Sequence, residues 1–290
     1  MTQIINALAD ISDRYEALFV DLWGCVHNGV KAIPSAVEAL AAYRARGGAV
    51  ILVTNAPRSR HEVAKQLDYF EVPKEAYDDI ATSGDSARAA MFQGAVGQKV
   101  WFMGQPHDLS FFEPLKLLDN PVDITRVSFE EAEGIICCGP EDPHASPDVY
   151  RPQFLYAKQK GIKLLCANPD IVVDRGERRE YCAGAVAQLY TEMGGESLYF
   201  GKPYPPIYDL ARRRLSEHRK GVQDAGILAI GDGPATDIRG AMGEDIDSLF
   251  ITGGLARSET KTTHAPDPDA LNGYIEKEMI NPTFAMGTLA

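Results

Sequence analysis

Four polar residues stand at the ends of apolar runs, and their types suit one reaction: Asp21, Thr54, Lys202 and Asp232. A carboxylate such as Asp21 can attack phosphorus and form a covalent aspartyl-phosphate. A lysine stabilises charge on the equatorial oxygens, and a threonine hydroxyl hydrogen-bonds to them. A divalent ion held by further carboxylates offsets the repulsion between nucleophile and phosphate. An oxygen-only ligand set with several waters suits magnesium. Any one Asp after a strand reads as a turn former or helix N-cap. The set of four is what points to phosphoryl transfer.

Such residues need a scaffold that gathers them. Ala17-Leu18-Phe19-Val20 is an apolar run ending in Asp21, and Ala49 to Val53 is a second ending at Thr54-Asn55. Between them Pro34 opens an amphipathic helix over Ser35 to Arg46, closed by Gly47-Gly48. A helix from about Ser59 to Tyr69 follows. The last third repeats the grammar. Ser197 to Phe200 reads as a strand before Gly201-Lys202, Pro205 to His218 as a helix, and Ile227 to Ile230 as a strand before Gly231-Asp232. Thr236 to Met242 reads as a short helix and Asp247 to Thr252 as a strand, whereas the tail from Asn281 shows no pattern. Near-continuous apolar strands alternating with helices predict an α/β fold, a doubly wound parallel sheet covered on both faces. Ligands bind at the carboxyl ends of such strands, where the four residues would converge. The middle has its own α/β pattern, with strands at Val100–Met103, Gly134–Cys138 and Lys163–Cys166 and a helix over Pro147 to Lys160. The expected organisation is a core of residues 1–82 and 196–290 with an inserted α/β domain at 83–195.

Bulk properties exclude some partners. A net charge of −12 over 290 residues disfavours nucleic-acid binding. No apolar run approaches the ~20 residues of a membrane span, and the N-terminus lacks a signal-peptide pattern. The expected location is the cytoplasm. The five cysteines, 25, 137, 138, 166 and 182, form no CxxC pair, so neither a disulfide framework nor a zinc ribbon is expected. Gly201-Lys202-Pro203 has Pro where a P-loop needs Ser or Thr, and Gly231-Asp232-Gly233 reaches Thr236 where a dinucleotide fingerprint needs Gly or Ala.

At this point the chain resembles the haloacid dehalogenase superfamily. Asp21-Leu22-Trp23-Gly24, Thr54-Asn55, Gly201-Lys202-Pro203 and Gly231-Asp232-Gly233-Pro234-Ala235-Thr236-Asp237 look like its four motifs, the last matching the GDxxxTD form. Ala167-Asn168-Pro169-Asp170 and the long insertion resemble its class IIA members, which include nucleotide, pyridoxal phosphate and phosphoglycolate phosphatases. The resemblance implies a Rossmann-like core with Asp21 as nucleophile, Lys202 pairing with nucleophile and phosphate, and Thr54 and Asn55 binding phosphate. It implies Mg2+ held by Asp21, the Trp23 backbone carbonyl, Asp232 and Asp237, the last directly or through water. The insertion would be a cap that selects the substrate. The expected partner is a small phosphorylated metabolite, with no nucleic acid and no membrane, and the expected assembly a homodimer through the cap.

The pattern departs from the family at one position. Family phosphatases carry a second Asp two residues after the nucleophile, as general acid and then base. Here that residue is Trp23, whose indole N–H only donates hydrogen bonds. General acid–base help is worth about 10²–10⁴ in rate. His27 is a substitute to test, against its plainer reading as a loop residue. Asn168, Asp170 and Arg175 follow a cap strand and are candidates to face substrate, and Arg58 to add charge near the phosphate. Three readings stay open. The first is a magnesium-dependent phosphatase of a small metabolite monophosphate, slowed by Trp23. The second is a phosphate-binding pseudo-phosphatase, and the third a metal-independent, dehalogenase-like hydrolase attacking carbon.

Overall fold

The structure is a computed structural model that describes residues 2–114, 120–175 and 178–290. Two compact units are present: Met1–Thr54, His61–Ala81 and Lys202–Ala290 form the first, and Asn55–Arg60 with Thr82–Gly201 the second.

The first unit is built on a seven-stranded sheet. Its strands lie in the order Gln3–Ile4, Phe284–Met286, Asp247–Ile251, Ile227–Gly231, Ala17–Val20, Ala49–Thr54 and Asp79–Thr82. Every pairing from Gln3–Ile4 across to Ala49–Thr54 is parallel. Each residue of the adjacent strands Ile227–Gly231, Ala17–Val20 and Ala49–Thr54 is buried, as expected where helices cover both faces of a parallel sheet. On one face Phe19, Ile51 and Ala229 pack with Ile207, Ala211 and Leu215 of the helix Pro205–His218. Side chains alternate along a strand, so the fully buried Leu18, Val20 and Leu52 belong to the other face. Burying one such side chain contributes roughly 1.5–3 kcal/mol.

The second unit has its own parallel sheet, ordered Glu196–Tyr199, Lys163–Cys166, Gly134–Cys137, Lys99–Met103 and Thr125–Arg126. An antiparallel pair, Val172–Arg175 with Arg178–Tyr181, stands apart from it. Helices Arg151–Gln159 and Ala183–Glu192 pack on one side through Phe154, Val186 and Tyr190, and helix Ser83–Phe92 belongs to a second cluster with Ala87, Met91 and Phe111.

The parallel α/β class is as the apolar strand pattern predicts, with one strand assigned to the wrong sheet. Ser197 to Phe200 reads from sequence as a strand of the outer sheet. The observed strand is Glu196–Tyr199, and it pairs with Lys163–Cys166 in the second unit, Leu198 opposite Leu165 and Tyr199 opposite Cys166. Leu198 and Phe200 pack on that unit's apolar cluster, and packing decides which sheet a short strand joins. Lys202 is therefore carried by the turn that enters the helix Pro205–His218, not by a core strand end. The tail left without a pattern supplies the strand Phe284–Met286, seated between Gln3–Ile4 and Asp247–Ile251. Among the described residues no helix is long and apolar enough to cross a membrane.

Candidate active site

Sheet register gathers the site. Val20 is level with Leu52 on one neighbouring strand and with Ile230 on the other. Asp21, Thr54 and Asp232 thus leave the sheet within two residues of one another, at its carboxyl edge. The amide of Asp21 donates to the Ile230 carbonyl at 2.8 Å, which holds Asp21 against the next strand. Asp21, Thr54, Lys202, Asp232 and Asp237 are all buried.

Lys202 links two of the carboxylates. Its Nζ donates to Asp21 Oδ1 at 2.5 Å and to Asp237 Oδ1 at 2.6 Å. Asp237 is aimed by a π-helical turn, Pro234–Ile238, that precedes the helix Arg239–Gly243. The predicted helix over Thr236 to Met242 therefore starts two residues earlier and is wider at its entry, a feature that recurs at functional sites. In that turn Asp237 Oδ2 accepts from the Gly233 amide at 3.1 Å and the Thr236 hydroxyl at 3.3 Å. Both Asp237 oxygens are therefore engaged by protein donors.

Asp232 is fixed by close backbone. Its Oδ2 accepts from the Leu255 amide at 3.0 Å. A β-carbon at Gly24 or at Gly254 would collide with that carboxylate, and Gly24 also has φ +76°, a region open to glycine at little cost. Gly24 is thus required twice over. One ligand atom each from Asp21, Cys25 and Asp232 lies within 4.8 Å of the others, and all three residues are buried. Cys25 has no spacing signal that would have marked it; only its place four residues after Asp21 brings it there.

The charges do not balance. Three buried carboxylates, Asp21, Asp232 and Asp237, face one ammonium. Burial raises Asp21 well above the usual carboxylate range, Asp237 and Asp232 add to this, and Lys202 opposes it. Burial acts to lower Lys202, but Asp21 and Asp237 outweigh it and hold the ammonium charged. The Cys25 thiol is pushed up by burial and then by Asp232 and Asp21. A divalent cation beside Asp21 and Asp232 would neutralise the excess, so the donor set fits such an ion.

Beside this charged cluster the loop after Asp21 is aromatic. Trp23 meets His27 edge-on at 5.5 Å, and His27 meets Phe70 at 4.9 Å. Gly29 lies so close to the indole that a β-carbon there would strike it. His27 is buried, its Nδ1 accepts from the Gly29 amide at 3.1 Å, and burial pushes its pKa down to about 4. His27 is a neutral packing residue rather than a substitute acid.

The remaining predicted residues lie in the second unit. Asn55 Nδ2 donates to Asp170 Oδ1 at 2.8 Å, and Asn168 Oδ1 accepts from the Asp170 amide at 3.0 Å. Asp170 therefore orients Asn55, which the sequence alone did not suggest. Arg175 ends the strand Val172–Arg175, and its side chain lies outside the described residues.

Residues 18–117 match the family model of the haloacid dehalogenase-like hydrolases, and residues 199–274 match a second, HAD-hydrolase-like model. A haloacid dehalogenase-like family hydrolase from Brucella suis 1330 is 35% identical, with a TM-score of 0.85 over 99% of this chain and 100% of that one. A possible sugar phosphatase of the HAD superfamily from Cytophaga hutchinsonii shares the fold, with 19% identity and a TM-score of 0.74 over 99% and 98% of the two chains. Phosphoglycolate phosphatase 1A of Arabidopsis thaliana, a chloroplastic protein, is 24% identical over 272 residues, covering 88% of this chain and 73% of that protein.

Proposed function

This chain belongs to the haloacid dehalogenase-like hydrolase family, and from that premise we propose that it is a phosphatase acting on a small metabolite monophosphate through an aspartyl-phosphate on Asp21. The observation that carries the reading is the buried Asp21–Lys202–Asp237 ion-pair chain, with Asp232 beside it. Lys202 keeps Asp21 aimed and supplies positive charge for the equatorial oxygens. Thr54 and Asn55 add hydrogen bonds to the phosphate. Mg2+ is the cation this reading calls for, held by Asp21, Asp232 and the Trp23 backbone carbonyl, with Asp237 acting through water because its own oxygens are engaged. When bound, the ion offsets the repulsion between Asp21 and an anionic substrate.

Names of similar proteins support the same class: phosphoglycolate phosphatase for one relative and sugar phosphatase for a fold neighbour. The reading extends to a cytoplasmic enzyme with neither nucleic acid nor membrane as partner, and to a homodimer formed through the inserted region. Asn168, Asp170 and Arg175 are its candidates for substrate selection. Attack on carbon without a metal fits less well, because Asp232 beside Asp21 adds a buried negative charge that such chemistry does not use. The test is p-nitrophenyl phosphate hydrolysis with and without Mg2+, for the wild type and for Asp21→Asn. Magnesium-dependent turnover that Asp21→Asn abolishes is the expected result. Mg2+ or phosphate binding without any hydrolysis would favour instead a pseudo-phosphatase, the reading that Trp23 supports.

A further inference from the structure

We propose that the turns following the strand Asp247–Ile251 carry a second anion site, apart from the cluster around Asp21, that takes a small phosphorylated metabolite by its phosphate. Arg257, Ser258, Lys261, Thr262 and Thr263 line a cavity of about 480 Å³, within the roughly 300–1,000 Å³ of small-molecule sites. None of Asp21, Thr54, Lys202, Asp232 or Asp237 borders it.

The lining is cationic and its charge is unspent. The chain holds 41 acidic residues against 29 basic ones, so a basic side chain here ordinarily finds a carboxylate. Arg257 and Lys261 nevertheless make no ion pair and no side-chain hydrogen bond among the described residues. Glu259, between them in sequence, does not line the cavity. A guanidinium offers a planar fork that matches two phosphate oxygens, and an ammonium adds a compact charge with three donors. The hydroxyls of Ser258 and Thr263 can donate to the same anion. These four residues are exposed, so a ligand reaches them from solvent.

The backbone beneath them is ordered. The Thr260 amide donates to the Ala256 carbonyl and the Thr262 amide to the Arg257 carbonyl, both at 2.9 Å, closing a helical turn that ends on Lys261. Lys261 has φ +49°, at a position that glycine usually fills and where a side chain carries strain. Behind the turn, Thr262 Oγ1 donates to Thr252 Oγ1 at 2.8 Å, and Thr252 Oγ1 donates to the Met286 carbonyl at 3.1 Å. This buried chain of hydroxyls ties the cavity wall to the end of the sheet. At the start of the same segment the Leu255 amide is held by Asp232. An anion would therefore meet a wall that needs little further ordering, which lowers the cost of binding.

The experiment is isothermal titration calorimetry of the full chain, without divalent cations, using methylenebisphosphonate, a probe with no ester to hydrolyse. The proteins are the wild type, Arg257→Ser/Lys261→Ser, and Arg213→Ser/Lys220→Ser, which removes the same charge from exposed positions elsewhere. Circular dichroism checks that each is folded. The expected result is a binding event in the wild type that Arg257→Ser/Lys261→Ser weakens about tenfold or more and the control pair leaves unchanged. Equal weakening in both pairs would mean general charge attraction and overturn the proposal. Binding that survives intact in Arg257→Ser/Lys261→Ser would place the probe elsewhere, and no binding at all would remove the site; each outcome overturns the proposal without touching the phosphatase reading.

Discussion

Two neighbouring regions of the first unit solve the problem of buried polarity in opposite ways. Around Asp21, charges are gathered and kept: Lys202 pairs with two carboxylates, Asp232 adds a third beside them, and backbone amides and the Thr236 hydroxyl donate further hydrogen bonds. Six residues along the chain, at His27, a titratable group is discharged instead, wrapped by Trp23 and Phe70 and held as a neutral ring. The first arrangement stores an unbalanced field that a cation and a phosphate can use. The second stores packing. Proximity in sequence thus says little about whether a polar side chain is reactive; the partners around it decide.

The sharpest way to break this contrast is at Asp21. Asp21→Asn should lower phosphatase turnover by on the order of 10³-fold or more, with the fold retained by circular dichroism. Unchanged turnover would show that Asp21 is only part of the ion-pair chain. Removing the shared ammonium comes next. Lys202→Met leaves Asp21 and Asp237 buried without their partner, and breaking such a pair costs about 3–5 kcal/mol. Urea unfolding at pH 7 would measure it, and the deficit should shrink at lower pH as Asp21, which burial holds above the usual carboxylate range, takes up a proton.

The aromatic side is tested by pH. The His27 pKa falls from 6.5 unfolded to about 4 folded, so the unfolded state binds the extra proton between those values. Stability from this residue is fully present above pH 6.5 and is lost as pH falls toward 4, a swing of up to about 3 kcal/mol. His27→Phe should flatten that part of the stability profile, and an unchanged profile would mean the ring is accessible to protons. The smallest effect belongs to the second unit. Asp170→Ala removes the acceptor for Asn55 Nδ2 and should cost about 1–3 kcal/mol of stability, read as a modest shift in urea midpoint.

Much of the site was legible because strand ends in a parallel sheet have a known use. Asp21, Thr54 and Asp232 follow apolar runs, and register alone brings them level. Lys202 was found for a partly mistaken reason, since the strand before it belongs to the other sheet. A four-residue apolar run carries no mark of its partner, and only packing chooses it. Cys25 and the Asn55–Asp170 bond were illegible, because they depend on loop paths that no periodicity encodes. Gln3–Ile4, Asp79–Thr82 and Phe284–Met286 escaped notice for another reason: two to four residues are too short to show a period. The His27 environment depends on Phe70, far along the chain, so its silence could not be read from the loop itself.

The sheet order also sets a schedule for synthesis. Ala17–Val20 is apolar and ends fully buried between Ala49–Thr54 and Ile227–Gly231. At roughly 5–20 residues per second, a ribosome needs on the order of 10–40 s to travel from the first of these strands to the last. Through that interval one edge of the strand that leads to Asp21 waits without its neighbour, an open template for wrong pairing. The nascent chain is therefore most exposed to aggregation before Ile227–Gly231 emerges, and chaperone demand should peak in that window.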